Sequence, residues 1–179
     1  MTRLSTARLD LRLLDERDAA LYARLYTCPR VMAQIGPPLD AVAAERAFTA
    51  AVAHNRRALP GHRTFAVFDR ADGAAVGIGA LARSGARAEI GLMLLPDAWD
   101  GRRSHEVLDA LVAYGFGPMR VDGLDAVCRL GPNVRASRRL VQPYGFTEVV
   151  AERPGTMHWR LARDAWRPRA EVGSVAIAE

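Results

Sequence analysis

The chain has 179 residues, half of them hydrophobic and a quarter charged, with a formal net charge of +5. That length suits one ordinary domain with a sizeable core, and the balance excludes a disordered polymer. No apolar run reaches the ~18 residues a membrane span requires, and the two cysteines, Cys28 and Cys128, lie far apart outside any CxxC, which argues against a disulfide framework or thiolate metal site.

Ala7 to Leu14 reads as a strand, with Leu9, Leu11 and Leu13 alternating against Arg8, Asp10 and Arg12. Asp15 caps a helix whose face carries Leu21, Tyr22, Leu25 and Tyr26. Gly36-Pro37-Pro38 is a loop, and Asp40 caps a longer helix reaching about Leu59, stopped by Pro60-Gly61. Thr64 to Asp69 and Ala75 to Ala82 are strands joined by the turn Ala71-Asp72-Gly73. After Ser84-Gly85, Ala88 to Leu95 is a third strand, ended by Pro96. An amphipathic helix follows from about Arg103 to Phe116, with Val107, Leu108, Leu111 and Val112 inward. Asp122 to Leu130 is a strand, Asn133 to Val141 a helix, and Thr147 to Val150 and Met157 to Leu161 are strands. The expected organisation is one α/β domain over residues 1–163, followed by a C-terminal tail, 164–179.

All 25 basic residues are arginine and are spread along the chain, so no dedicated nucleic-acid patch is expected. The N-terminus has no h-region of a signal peptide, and with so few cysteines a cytoplasmic location is expected. The four histidines show no ligand spacing, so no metal is expected. Trp99, Trp159 and Trp166 read as core or edge residues, and His158 as packed or solvent-facing.

Three elements carry chemistry. The unit AEIGLMLLPDAWDGRRSHEVLDAL runs from a strand through a short loop into a helix. Free N–H groups and a positive dipole end at such a helix start accept a phosphate or pyrophosphate. Gly101 allows close backbone approach, Ser104 is a short donor, and Arg102 and Arg103 add charge. In GPNVRASRRLVQPYGF, Asn133 and Ser137 are four apart and share a helix face. Glu89 stands in an apolar strand, where a carboxylate beside buried groups can serve as a general base.

Together, in this order and spacing, the three elements resemble the GNAT superfamily of acyl-coenzyme A dependent N-acetyltransferases. More narrowly they are similar to its ribosomal-protein N-terminal acetyltransferase branch. The opening LSTARLDLRLLDERDAALYARLYTCPRVM, the stretch AEIGLMLLPDAW, Glu106 and NVRASRRLVQPYGF carry the likeness, which spans roughly residues 4 to 162. It implies a mixed α+β fold with a central, mostly antiparallel sheet, a splayed strand pair and about four flanking helices. It also implies an enzyme that moves an acetyl group from acetyl-CoA to a primary amine by direct attack in a ternary complex. The acceptor would be a small molecule or a protein or peptide N-terminus. The backbone of Met93 and Leu94 would pair with the pantetheine arm, and Asp100, Gly101, Arg102, Arg103 and Ser104 would hold the pyrophosphate. Asn133 and Ser137 would lie near the thioester, with Ser137 as proton donor to the departing thiolate and Glu89 as acceptor of the amine proton. A homodimer is the commonest assembly for such a domain.

Three features depart from the family pattern. Asp100 and Arg102 occupy the glycine positions of its W-G-x-G loop, with Gly101 between them. Pro143 should end the last helix near Val141. Val141 itself stands where some branches carry a tyrosine acid, and Tyr144 nearby reads as a core residue. The altered loop keeps two alternatives open: an acyl donor other than CoA, such as aminoacyl-tRNA or a carrier protein, or a binding module of the same fold without catalysis.

Overall fold

The computed structural model describes residues 2–33, 35–58, 61–99, 102–167 and 176–178. Nine strands form one sheet: β1 (Arg3–Ser5), β2 (Leu9–Leu13), β3 (His62–Asp69), β4 (Ala75–Ser84), β5 (Arg87–Leu94), β6 (Gly123–Arg129), β7 (Thr147–Val149), β8 (Thr156–Ala162) and β9 (Ala176–Ala178). Their order is β7-β8-β6-β5-β4-β3-β2-β1-β9. Every pairing is antiparallel except β5 with β6. The helices are α1 (Ala19–Thr27), α2 (Pro29–Met32), α3 (Ala41–Asn55), α4 (Arg102–Phe116) and α5 (Val134–Val141).

The helices cover opposite faces. On one, Val107 and Leu111 of α4 pack with Leu11, Phe65, Leu81, Ile90, Leu124 and Trp159 in the larger core. On the other, Tyr22, Leu25 and Val52 from α1 and α3 pack with Ala66, Ile78 and Met93. The period-two alternation of β3 to β5 supplies both surfaces, since successive residues point to opposite faces.

Three segments differ from the expectation. The expected strand Ala7–Leu14 is the shorter β2, and a further strand, β1, precedes it, joined to it by a turn at residues 6–8. In that turn the Thr6 hydroxyl accepts from the Leu9 N–H at 3.1 Å and donates to the Glu106 carboxylate at 2.5 Å. A contact 100 residues away in sequence thus helps hold the turn. The long helix ends at Asn55, short of Leu59. The Asn55 side-chain amide donates to the Leu14 and Thr64 carbonyls and its carbonyl accepts from the Thr64 N–H. The buried guanidinium of Arg63 takes the carbonyls of His54 and Arg57, doing at the helix end what further turns would have done. Within the stretch expected as a tail, β9 pairs with β1 at the sheet edge.

The C-terminal half follows its expectation closely. Pro143 lies in a 3-10 turn, Gln142–Tyr144, directly after α5 ends at Val141. Gly145 then adopts φ 88°, the left-handed conformation that glycine accepts without strain. Tyr144 is buried and its hydroxyl donates to the His105 carbonyl at 2.8 Å.

One glycine holds the site's geometry. A Cβ at Gly77 would stand 2.3 Å from the Met93 carbonyl oxygen and 2.9 Å from Leu94 Cα, both backbone atoms. Gly77→Ala must therefore push the end of β5 away from β4. A cost of about 1–3 kcal/mol is expected, the range of overpacked sites, read as a lowered urea midpoint at unchanged m-value. An unchanged midpoint would show that the two strands yield freely here.

Candidate active site

The site begins where β5 and β6 part. Their parallel pairing runs from Arg87↔Gly123 to Ile90↔Ala126 and stops. Both strands continue, β5 to Leu94 paired with β4 and β6 to Arg129 paired with β8. The strands splay, so among the described residues one edge of Gly91–Leu94 has no strand beside it.

Two cavities fill this opening. One, of about 440 Å³, lies between the end of β5, the first turn of α4 and the exposed side of α5. Leu92, Met93 and Leu94 line it with Ser104, Ser137 and Arg139. The other, about 290 Å³, runs into the cleft and reaches Glu89, Cys128 and Trp159, with Ser137 and Met93 on its wall again. The fold thus brings together Met93, Leu94, Ser104 and Ser137, four of the residues singled out from sequence. Asn133 shares the face of Ser137 through the backbone bond from Ser137 N–H to Asn133 carbonyl, 2.9 Å, but does not line either cavity. Asp100 and Gly101 lie outside the described residues.

Several expected ligands are already engaged. The Leu94 carbonyl accepts from the Trp99 indole N–H at 2.8 Å, so part of the open strand edge is held by the protein itself. Trp99 is 42% exposed and carries Arg30 over its ring at 5.4 Å, placing a cation at the cavity mouth rather than a ring in the core. Arg103 forks onto Asp69 at 2.6 and 3.1 Å, joining α4 to the β3–β4 turn. Its charge reaches the loop already paired, whereas Arg102 is exposed at the helix start. Arg139, which the sequence reading passed over, stands on the cavity wall. Its position one turn along from its neighbour Arg135 on a strongly amphipathic helix was the available signal.

Glu106, four residues into α4, is buried and is a scaffold residue rather than a reactive one. It accepts from the Thr6 hydroxyl, the Arg8 N–H at 2.9 Å and the Arg8 guanidinium at 2.6 Å. Burial alone would raise its pKa, but these donors outweigh burial and hold the carboxyl below its ordinary value. The start of α4 is thereby pinned to the β1–β2 turn.

Glu89 is exposed at the cleft's far end and accepts from the Arg153 guanidinium at 2.7 Å. Beyond it opens a third cavity of about 530 Å³. Its floor is Asp125, which accepts from Arg87 at 2.5 and 2.8 Å and from Arg160 at 3.0 Å. Burial acts against the charged form of Asp125, yet the two arginines lower its pKa overall. His158, expected as a packed or solvent-facing residue, is buried and also lines this cavity.

The described residues thus form a cleft between diverging parallel strands, with a helix start at one end and a charged chamber at the other. Residues 8–147 match the model of the acetyltransferase (GNAT) domain family. The chain belongs to that family. The N-acetyltransferase YoaA of Bacillus subtilis, itself uncharacterized, is 35% identical over 71 residues, a match spanning 40% of this chain and 39% of that protein. Among solved structures, an acetyltransferase from Agrobacterium tumefaciens superposes with a TM-score of 0.75 at 22% identity, covering 90% of this chain and 94% of the other. The spermidine N-acetyltransferase of Vibrio cholerae, solved with CoA and spermine, gives 0.72 at 15% identity, covering 88% and 96%. RimL, a ribosomal L7/L12 alpha-N-protein acetyltransferase solved with coenzyme A, gives 0.73 at 16%, covering 89% and 96%. At these identities the structures establish the fold. Among the described residues no cluster of three or more His, Cys, Asp or Glu is placed to hold a metal ion, and no helix is long and apolar enough to cross a membrane.

Proposed function

We propose that the protein transfers an acetyl group from acetyl-CoA to a primary amine by direct attack in a ternary complex. The splay of β5 from β6 carries this reading, because it leaves a strand edge and a cavity of about 440 Å³ side by side. An extended amide-bearing arm can add to such an edge as a further strand would. Met93 and the neighbouring backbone of β5 would hold the pantetheine arm. The start of α4, with Ser104 and Arg102, would face the pyrophosphate, and Arg139 offers a second guanidinium for a phosphate. When bound, acetyl-CoA supplies the acyl thioester: the amine nitrogen bonds to the acyl carbon, the carbon–sulfur bond breaks, and coenzyme A leaves as its thiol.

The chain's own residues supply proton handling and exclusion of water. Glu89 accepts the proton of the incoming ammonium, which restores the nitrogen lone pair. Ser137, on the wall of both cleft cavities, donates to the departing sulfur. Trp159, Leu140 and Met93 line the cleft with apolar surface. The resemblance and the two CoA-bound neighbours support the choice of donor. Calorimetry is the test: acetyl-CoA should bind at micromolar concentration, and no heat at millimolar ligand would overturn the reading.

A further inference from the structure

The chamber beyond Glu89 describes the acceptor. It meets the acyl cleft at Glu89, which lines both cavities. Its charges are unequal: four arginines face three carboxylates on its walls. Asp125 receives two guanidinium groups, Arg87 and Arg160, and Arg160 also reaches Glu152 at 3.4 Å, so the cation in excess is Arg83, bonded to the Gly85 and Met119 carbonyls. His158 is 6% exposed and lines the same chamber. Its Nε2 has no aligned hydrogen-bond partner among the described residues, although Asp125 Oδ1 is 3.2 Å away. The rim pair Arg153–Glu89 is solvent-exposed on both sides, and such pairs are weak and readily exchanged.

Resting on the amine-acetylation reading, we propose that the acceptor is a primary amine carrying a carboxylate a few bonds from its nitrogen. Its ammonium takes Glu89 and its carboxylate takes Arg153, so one ion pair is replaced by two and no charge is stranded. An amine with no acid strips Arg153 of its partner and adds a cation to a chamber already rich in them. Like charges brought together here oppose entry, and the complementary acid favours it. A polyamine is the acceptor this chamber disfavours most. The same chemistry is offered by a free amino acid and by a peptide whose second residue is acidic.

The test measures binding to the free protein, so it does not depend on the donor. The probes are β-alanine against its amide, a C-terminally amidated Ser-Asp dipeptide against its amidated Ser-Asn counterpart, and spermidine. In at least one pair the acid should bind about tenfold or more tightly than its uncharged partner, the scale of one charge-assisted contact. The pair that shows this ratio identifies the source. Arg153→Ala should bring the ratio to within about twofold, Arg153→Lys should retain part of it, and Arg153→Glu should turn the preference toward spermidine. Equal binding within both pairs, spermidine as the tightest wild-type ligand, or a ratio that survives Arg153→Ala would each overturn the proposal. Acetyl-CoA affinity, measured in parallel, tests the donor separately.

Discussion

Replacing Glu106 with alanine should destabilise the protein by about 2–4 kcal/mol, the range for stranding buried hydrogen-bond donors and one partner of a half-buried ion pair. Three donors lose their acceptor at once: the Thr6 hydroxyl, the Arg8 N–H and the Arg8 guanidinium. Thr6 is 4% exposed, so its hydroxyl has little access to replacement water. The Arg8 side chain, 37% exposed, recovers part of its hydration, which keeps the loss below that of a fully buried pair. For a chain of this size the loss corresponds to a fall in Tm of roughly 10 °C. Calorimetric melting of Glu106→Ala and Glu106→Gln checks it. A Tm within about two degrees of wild type for both variants would show that the β1–β2 turn holds without this carboxylate.

The sign of the pH dependence follows from the depressed pKa of Glu106. A carboxyl held below its unfolded value contributes stability that is fully present above that value, about 4.3. The contribution is lost as pH falls through the lower, folded value. The gap between wild type and Glu106→Gln should therefore be full near neutrality and narrow below about pH 4. A gap that stayed constant down to the acid transition would mean that the neutral acid serves Thr6 and Arg8 equally well.

The second large effect is catalytic. Glu89→Gln should lower kcat by about 10²–10⁴-fold, the usual contribution of a positioned general base. It should leave the KM for acetyl-CoA unchanged. The side chain is 45% exposed and its ion pair with Arg153 is at the surface, so stability should move by no more than about 1 kcal/mol. Loss of turnover at intact stability separates a role in proton transfer from a role in folding. Thiol release from acetyl-CoA reads kcat directly, with any amine the wild-type enzyme accepts. An unchanged kcat would assign the amine proton to another group or to water.

Much of the scaffold is legible locally. Asp40 caps α3 as expected, Pro143 stops α5, and the alternation in β3 to β5 marks two buried faces, whereas Asp15 caps the 3-10 turn Glu16–Asp18 that leads into α1 and not α1 itself. These rules act over a few residues, so they can be read from one stretch at a time. That Ser137 and Met93 would line one cleft was legible only through the joint pattern of three units, since neither stretch carries a decisive motif. The hairpin at residues 6–8 and the end of α3 were not legible, because their causes are Glu106 and Arg63, supplied from outside the local window.

The strand and helix on either side of residues 100 and 101, the small hydroxyl residues beside them and the likeness to the acetyltransferase family were written in the sequence itself. Its local periodicities are strong, and its polar residues stand at helix starts where their use is constrained. Only the tertiary structure decided which charges meet. Arg103 with Asp69, Glu89 with Arg153, and Asp125 with Arg87 and Arg160 are separated by 34 to 64 residues. Sheet register places several of them: β5 parallel to β6 sets Glu89 beside Asp125, and β6 antiparallel to β8 sets Asp125 beside Arg160. A one-residue slip in either pairing would send these side chains to the opposite face. The chamber's charge is therefore a property of strand pairing that no local pattern contains.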